Sequence, residues 1–329
     1  MHARAARVNS SELDRAVEVL RSGGLVAFPT ETVYGLGADA AHPEAVRKIY
    51  AAKGRPPDHP LIVHLADSAG AAAWASEIPA AAERLAQRFW PGPLTLVFKR
   101  ARAVNDIVTG GQDTIALRVP SHPIAHALLE AFGGGIAAPS ANRYGRISAT
   151  TAEHVRNDLG GAVDYVLDGG PCEVGIESTI VDLSGSQPAL LRPGNITADA
   201  IEEVLGFRLA AAGAASPRAP GMLAKHYAPQ TPLMLMEGDL LVELATSMTR
   251  QGSKVAVLAR SQMQPLLKGI TWIAASNDPP AYAHDLYANL RALDSAGCSA
   301  ILVEVAPPEA AWAAVRDRLT RAVAGSPPP

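Results

Sequence analysis

Residues 25–36, LVAFPTETVYGL, hold the pattern that decides the fold. An apolar run of four residues ends at Pro29, and such a run predicts a short buried strand. Hydroxyl and acidic side chains follow at once in Thr30, Glu31 and Thr32. In open α/β sheets the ligand cleft lies beyond the strand ends, so this placement indicates a site beside the strand. A turn rich in hydroxyl groups is the simpler interpretation of this segment by itself.

Predicted strands and helices alternate on both sides of this segment. Ser11 can cap a preceding helix that ends at Gly23, and His42 with Pro43 can begin the next helix. The alternation predicts an α/β fold for residues 1–206. Apolar runs predict further strands at 61–65, 94–98, 114–119, 163–167 and 179–183, and periodic segments predict helices at 123–132, after Thr150 and at 197–206.

The composition changes after the first 206 residues. Residues 207–231 are rich in Ala, Pro and Gly and show no sustained period, which predicts a linker without regular structure. Strands and helices alternate again over 232–329, and their lengths predict a smaller parallel α/β domain. Residues 1–206 carry 18 basic and 23 acidic side chains, a balance that favours a local anion pocket over a broad surface for nucleic acid.

The overall composition excludes several classes of protein. With 48% hydrophobic and 19% charged residues in 329, the chain can bury a core and is not mainly disordered. The formal net charge of -3 does not suit a protein held on nucleic acid by charge alone. Cys172 and Cys298 lie far apart in the sequence, which excludes a disulfide framework and a cysteine-rich metal site. The sequence shows neither a secretory signal nor an apolar run of membrane-spanning length, so we expect a cytoplasmic protein.

Lys53 and Arg55 stand two residues apart in a loop stiffened by Gly54, Pro56 and Pro57. Such a pair can converge on phosphate oxygens, the Arg through two hydrogen bonds and the Lys as a point charge. The alternative is that both side chains neutralise the negative end of a helix, which is common.

Arg118 lies in the otherwise apolar run TIALRVP at 114–120. An unpaired guanidinium in such a place would cost several kcal/mol, so we expect an anionic partner. That partner is either an Asp or Glu of the chain, which is the more frequent case, or the carboxylate of a substrate. His64 also lies in an apolar run, where a histidine more often belongs to the core than to a ligand site.

Three further polar segments follow predicted strands or begin them, and small residues in them would let a ligand approach the backbone. No P-loop, helix-opening GxGxxG, HExxH or GxSxG pattern accompanies them. Each segment alone is weak evidence for a functional site. They are APSAN at 138–142, GIEST at 175–179 and LRPG at 191–194.

In their order along the chain, however, these segments resemble the Sua5/YrdC/YciO family. The motifs that carry the resemblance span about residues 20–195, and APGMLAKHYAP at 219–229 resembles the linker of the longer Sua5 type. The resemblance implies a twisted open mixed sheet with a concave, positively charged cleft in a YrdC-like catalytic domain, 1–206. It also implies a linker at 207–231 that folds over the cleft and a Rossmann-like C-terminal domain at 232–329. The other motifs are PTETVYGL, KGRP, PLIVH, WPGPLT, TIALRVP and GIESTIVD.

The resemblance further implies L-threonylcarbamoyladenylate synthase activity, a nucleotidyl transfer. Such enzymes condense L-threonine, bicarbonate and ATP to threonylcarbamoyl-AMP and pyrophosphate, with Mg²⁺ on the ATP. The product passes to a tRNA threonylcarbamoyl transferase complex for t6A modification, and direct contact with tRNA would be weak. A different hypothesis is an RNA-binding module in tRNA or ribosome maturation, and a third is a related carbamoyl transfer to another acceptor.

The family's functional residues map onto this sequence position by position. His59 departs from the Asn that is usual in the family, and an imidazole there can still donate a hydrogen bond. No dedicated metal ligands are implied, and Lys53 and Arg55 carry the catalytic assignment. The threonine contacts are Thr32, His64, Arg118, Ala138 and Ser178. The ATP contacts are Lys53, Arg55, His59, Thr114, Ser140, Asn142, Ser148, Arg192 and Tyr227.

Overall fold

The computed structural model describes residues 9–213 and 216–328, which form two compact units. The first unit contains 9–144 and 149–222, and the second contains 145–148 and 223–328. The short segment 145–148 therefore belongs to the second unit although its sequence neighbours on both sides belong to the first.

The first unit is built on one mixed sheet. The strands are β1 (Val26–Phe28), β2 (Gly35–Asp39), β3 (Ile62–His64), β4 (Leu94–Lys99), β5 (Thr114–Arg118), β6 (Ile136–Ala137), β7 (Tyr165–Val166), β8 (Thr179–Asp182), β9 (Ala189–Arg192) and β10 (Ala210–Ala211). Their order in the sheet is β10-β9-β8-β4-β5-β3-β6-β2-β1-β7, with β3 and β5 parallel and β4 and β5 antiparallel. This confirms the predicted mixed sheet.

Helices cover both faces of this sheet and bury an apolar core dominated by aliphatic side chains. The helix predicted at 123–132 is confirmed, with a left-handed Gly133 at its end. The α-helices are α1 (Ser10–Arg21), α2 (Pro43–Lys53), α3 (Ala80–Phe89), α4 (Asp106–Thr109), α5 (Pro123–Phe132), α6 (Ala152–Leu159) and α7 (Ala198–Leu205).

Two helix caps differ from the prediction by one or two residues. The side chain of Asn9, rather than Ser11, caps α1, because its oxygen accepts the Glu12 amide in a capping box. For α6 the cap is Thr151 rather than Thr150. In both cases the capping oxygen belongs to the residue directly before the helix, where it can accept an amide of the first turn.

Strand β2 was not expected, because its sequence GLGAD contains two glycines. At Gly37 a Cβ would lie 2.8 Å from the side chains of Ile136 and Phe28, so the position needs a residue without a side chain. The strand forms because its neighbours β1 and β6 pair with it on both sides. Tertiary packing here overrides the low strand propensity of glycine.

The second unit is a parallel α/β layer, as predicted. Its elements are β11 (Leu233–Met236), α8 (Gly238–Arg250), β12 (Val255–Ala259), β13 (Ile270–Ala274), α9 (Pro279–Asp294), β14 (Ala300–Glu304) and α10 (Ala313–Gly325). The four strands lie in the order β11-β14-β12-β13 and all pair in parallel.

The predicted linker contains one element that the composition did not indicate. Ala210–Ala211 form β10 at the edge of the sheet, where backbone groups pair in parallel with β9. Such an edge strand needs little from its side chains, so the sequence gives no signal for it. Among the described helices, none has both the length and the apolar character needed to cross a membrane.

Candidate functional site

Several of the predicted site residues share one face of the large sheet. Parallel β3 and β5 pair His64 with Arg118 and Ile62 with Ala116. Side chains of paired residues point to the same side, and residues two apart on a strand share that side. The backbone of Ala138, just after β6, is fixed beside them because its amide donates to the Ile62 carbonyl at 2.9 Å.

The same face continues across β4, β8 and β9. Val97 pairs with Ala116, Thr95 pairs with Ile180, and Ile180 pairs with Arg192. By the alternation of strand side chains, Thr95 and Arg192 therefore point to the side that carries Arg118. We call this surface, defined by His64, Thr95, Arg118 and Arg192, the site face.

The apolar part of the site face is covered by the predicted linker. The carbonyl of Pro220 accepts a hydrogen bond from Arg192 Nη1 at 2.8 Å, which fixes the linker at this point. Segment 219–222 of the linker thus lies against the sheet within the first unit. The buried cluster contains Ile62, Val97, Ala116, Ile180, Leu191 and Ala219, with Met222 packed against it.

Arg118 has an acidic partner within the chain. Its Nη2 donates to Glu31 Oε1 at 2.7 Å, and both side chains are 4% exposed. Its Nη1 donates to Thr32 Oγ1 at 2.8 Å and its Nε to the Gly92 carbonyl at 3.3 Å. Glu31 also accepts the Ser121 amide at 3.1 Å. The internal partner expected for a buried Arg is confirmed, and three of its five N–H groups are occupied.

Thr32 is held in place from two sides. Its hydroxyl accepts from Arg118 and shares a hydrogen bond of 2.9 Å with the hydroxyl of Thr30. Thr30 in turn donates to the Val33 carbonyl at 2.6 Å. Cys172 is buried nearby, and burial raises the pKa of its thiol, which confirms its interpretation as a packed residue.

His64 is a buried, neutral imidazole. Burial, followed by the positive charge of Arg118, lowers the pKa of His64 to about 3. Its ring stands edge-on to Phe28 with ring centres 6.1 Å apart. Nδ1 of His64 is buried and makes no hydrogen bond with the described residues.

Ser178 connects two parts of the site face. Its hydroxyl shares a hydrogen bond of 2.8 Å with Thr95 and accepts from Arg192 Nη2 at 3.1 Å. Arg192 Nε donates to the Ser178 carbonyl at 3.0 Å. Ser178, which is predicted to contact threonine, and Arg192, which is predicted to contact ATP, are therefore directly hydrogen-bonded.

Lys53 ends helix α2 and reaches the backbone of the loop after β6. Its ammonium group donates to the carbonyls of Ser140 and Asn142. The side chain is 3% exposed, and burial together with the charge of Arg55 holds the pKa of Lys53 well below its usual value. The side chain of Lys53 thus holds the loop that carries Ser140 and Asn142. The prediction that Lys53 contacts phosphate did not include this structural role.

Arg55 and His59 meet on either side of Tyr144. The guanidinium carbon of Arg55 lies 5.7 Å from the centre of the Tyr144 ring, and Arg55 Nη2 donates to the Pro60 carbonyl at 2.9 Å. The hydroxyl of Tyr144 and Nδ1 of His59 are 3.1 Å apart. Partial burial and the charge of Arg55 lower the pKa of His59. The structure therefore brings these two predicted ATP residues together.

Three of the predicted residues remain to be described. Thr114 begins β5 and is half-buried. Ser148 and Tyr227 belong to the second unit, where the Ser148 carbonyl accepts from Arg291 Nε at 3.2 Å. Tyr227 has a φ of 61°, unusual for a residue with a side chain, and the guanidinium of Arg318 lies 5.3 Å from its ring centre.

Sequence reasoning missed three residues of the site. Glu31 and Thr95 lie in the quoted motifs PTETVYGL and WPGPLT, yet neither was assigned a role. Tyr144 follows the APSAN motif by two positions and carried no signal beyond its ring. In the described part of the chain, no group of three or more His, Cys, Asp or Glu side chains is placed to hold a metal ion.

Two family models match the chain. The Sua5/YciO/YrdC model, described as telomere recombination, matches residues 18–194. The model described as the threonylcarbamoyl-AMP synthase C-terminal domain matches residues 196–324.

Relatives match over almost the full length. The threonylcarbamoyl-AMP synthase of Pyrococcus abyssi is 40% identical over 96% of this chain and 95% of its own length. That of Bacillus subtilis is 40% identical over 96% of this chain and 94% of its own length. The crystal structure of P. abyssi Sua5 complexed with L-threonine superposes with a TM-score of 0.90 at 40% identity, covering 97% of this chain and 96% of that one. The chain belongs to the Sua5/YciO/YrdC family.

Proposed function

We propose that this protein is a threonylcarbamoyl-AMP synthase that joins L-threonine, bicarbonate and ATP. The full-length relatives bear that name, and one related structure is described as a complex with L-threonine. The observation that carries the proposal is the site face, which gathers Arg118, His64 and Ser178 near the ends of adjacent strands. Their guanidinium, imidazole and hydroxyl groups suit an amino acid that has a carboxylate, an amine and a hydroxyl.

The reaction needs two bond-forming steps. The threonine amine attacks the carbon of bicarbonate, and loss of water leaves a carbamate. A carbamate oxygen then attacks the α-phosphorus of ATP, the bond to the β-phosphate oxygen breaks, and pyrophosphate leaves. No covalent bond to the protein is needed, so the protein contributes alignment and stabilisation of negative charge.

Arg118 is proposed to orient the threonine carboxylate. Two of its N–H groups remain after the bonds to Glu31, Thr32 and Gly92 are counted, and a carboxylate can accept both. The neutral His64 offers Nδ1 to a donor of the substrate. The ring cannot supply positive charge near neutral pH, so its proposed role is hydrogen bonding.

Lys53, Arg55 and Arg192 are proposed to meet the triphosphate. All three side chains donate to backbone carbonyls here, Lys53 to Ser140 and Asn142, Arg55 to Pro60, and Arg192 to Pro220. Phosphate oxygens can replace such carbonyls as acceptors. Nucleotide binding would therefore exchange hydrogen bonds to backbone carbonyls for hydrogen bonds to phosphate. His59, Thr114, Ser148 and Tyr227 remain proposed nucleotide contacts.

Mg²⁺ is proposed to enter with ATP. Mg²⁺ keeps several waters and favours phosphate oxygens, so the proposal asks for no carboxylate cluster from the protein. Transfer of the product to a tRNA-modifying complex, and a cytoplasmic location, are parts of the same proposal.

The test is a reconstitution with the purified full-length chain. Incubation with L-threonine, bicarbonate, ATP and Mg²⁺ should release pyrophosphate and give threonylcarbamoyl-AMP, identified by its mass. Omitting threonine should stop pyrophosphate release, and chelation of the metal should do the same. Release of pyrophosphate without threonine, or salt-sensitive RNA binding with no product in the complete mixture, would reject the proposal in favour of other ATP chemistry or of an RNA-binding module.

A further inference from the structure

The hydroxyl of Ser178 has two partners among the described residues. Thr95 Oγ1 lies 2.8 Å away and Arg192 Nη2 lies 3.1 Å away. All three side chains are at most 3% exposed. Water therefore has little access to this group, and each proton in it needs a defined acceptor.

The direction of the hydrogen bond between Thr95 and Ser178 decides what Ser178 can offer a ligand. Arg192 can only donate, so it uses one acceptor position of the Ser178 oxygen. If Thr95 also donates, both acceptor positions are filled and the Ser178 proton points elsewhere. If Ser178 donates instead, the Thr95 proton is left without an acceptor inside a strand where that residue is 0% exposed.

The first arrangement fits the positions of the two residues. Thr95 lies within β4, and the described residues give its hydroxyl no partner other than Ser178. Ser178 directly precedes the first residue of β8, at the edge of the sheet where β3 ends with His64 and β5 ends with Arg118. Its proton therefore lies at the edge that carries the other proposed threonine contacts. The proton that lacks an acceptor among the described residues is then that of the Ser178 hydroxyl.

We propose that Thr95 is a positioning residue: it donates to Ser178, turns the Ser178 proton toward the amino-acid substrate, and through Ser178 links that subsite to Arg192. The proposal rests on the proposed synthase function and adds to it a residue and a coupling. An anionic oxygen that accepts the Ser178 proton strengthens the acceptor character of the Ser178 oxygen toward Arg192. Arg192 is one of the groups proposed to bind the triphosphate, so the affinities for the two substrates become linked, and linkage is reciprocal.

The experiment compares Thr95→Val with two control variants of the full-length protein. Thr95→Val keeps the shape of the side chain and removes the hydroxyl, whereas Thr95→Ser keeps the hydroxyl. Thr179→Val is the matched control, since Thr179 is also buried, in the adjacent strand β8, and its hydroxyl donates to the Ile196 carbonyl at 2.7 Å rather than to Ser178.

Steady-state kinetics should separate these variants. In Thr95→Val the KM for threonine should rise by about three- to tenfold, the range expected when one neutral hydrogen bond is lost. The KM for ATP should rise by no more than the factor by which threonine tightens nucleotide binding in the wild type. Thr95→Ser and Thr179→Val should keep both values within about twofold of the wild type. An unchanged KM for threonine in Thr95→Val would overturn the positioning role.

A binding measurement tests the coupling separately. Calorimetry with a nonhydrolysable ATP analogue should give tighter binding when L-threonine is present, and Thr95→Val should reduce that ratio toward one while Thr179→Val preserves it. A wild-type ratio of one, or the same ratio in Thr95→Val, would refute the link. If Thr95→Val does not fold by its thermal melt, Thr95→Ala carries the same expectations. A wild-type protein that forms no threonylcarbamoyl-AMP would reject the synthase proposal itself, which distinguishes the two failures.

Discussion

Replacing Glu31 by Ala would leave the guanidinium of Arg118 buried without its acidic partner. The two groups are 2.7 Å apart at their closest atoms and each side chain is 4% exposed. Two unit charges about 4 Å apart interact by about 4 kcal/mol at an effective dielectric constant of about 20. Removing one member of a buried pair commonly costs about 3–5 kcal/mol, and the Ser121 amide loses its acceptor as well. We therefore expect Glu31→Ala to lower the free energy of unfolding of the first unit by about 3–5 kcal/mol.

Hydrogen exchange is the suitable assay because the chain has two units that need not unfold together. Amides of β5 report on the first unit, and the Ser121 amide reports directly on the lost bond. Arg118→Ala and the variant with both substitutions complete a double-mutant cycle with Glu31→Ala. The loss of unfolding free energy in the double variant should be smaller than the sum of the two single losses by at least about 1 kcal/mol. Additive effects, or β5 amides protected as in the wild type in Glu31→Ala, would refute the view that this pair stabilises the site.

Three further predictions concern neighbouring residues. Arg118→Ala should raise the KM for threonine far more than that for ATP in pyrophosphate-release assays, and equal effects would contradict its assignment, while Arg55→Ala should show the opposite pattern. The unfolded chain binds a proton on His64 near pH 6.5, whereas the folded chain does so near pH 3. Acidification from pH 7 to pH 5 should therefore lower the free energy of unfolding by about 2 kcal/mol, measured by urea titration. In His64→Leu the free energy of unfolding should depend less on pH over this range. Lys53→Met should destabilise the loop of Ser140 by about 1–3 kcal/mol, seen as faster exchange of its amides, because the half-buried carbonyl of Ser140 and the buried carbonyl of Asn142 lose their donor.

The sequence predicted the elements whose signals are local. Helix α5 has a proline at its start and a glycine at its end, and both of its boundaries were predicted correctly. Strand β5 was found from its apolar run. Strand β2 was missed because the need for glycine at position 37 arises only in the folded sheet, where a Cβ would meet Phe28 of the paired strand β1 and Ile136 of the distant strand β6. Contacts of this kind are set by the assembled sheet and leave no local pattern.

The site was predictable to a similar degree. The isolated cation in TIALRVP indicated that Arg118 needs a partner, but the sequence left open whether an Asp or Glu of the chain or a substrate supplies it. The structure gives the internal partner. Thr95 could not be found from its sequence, because a buried threonine in a strand is ordinary until the fold places Ser178 beside it.

The four residues 145–148 have a practical consequence for anyone who shortens this chain. Their bonds within the second unit include those from Ala228 to the Gly145 carbonyl, at 2.9 Å, and from Arg291 to the carbonyls of Ile147 and Ser148. A protein cut after Met222 would keep this tetrapeptide but strip away every one of those anchors. Loss of activity in such a fragment could then result from the loosened loop at 145–148 or from the missing domain. Arg291→Ala in the full-length chain separates these causes, because it removes bonds to the loop and keeps the domain.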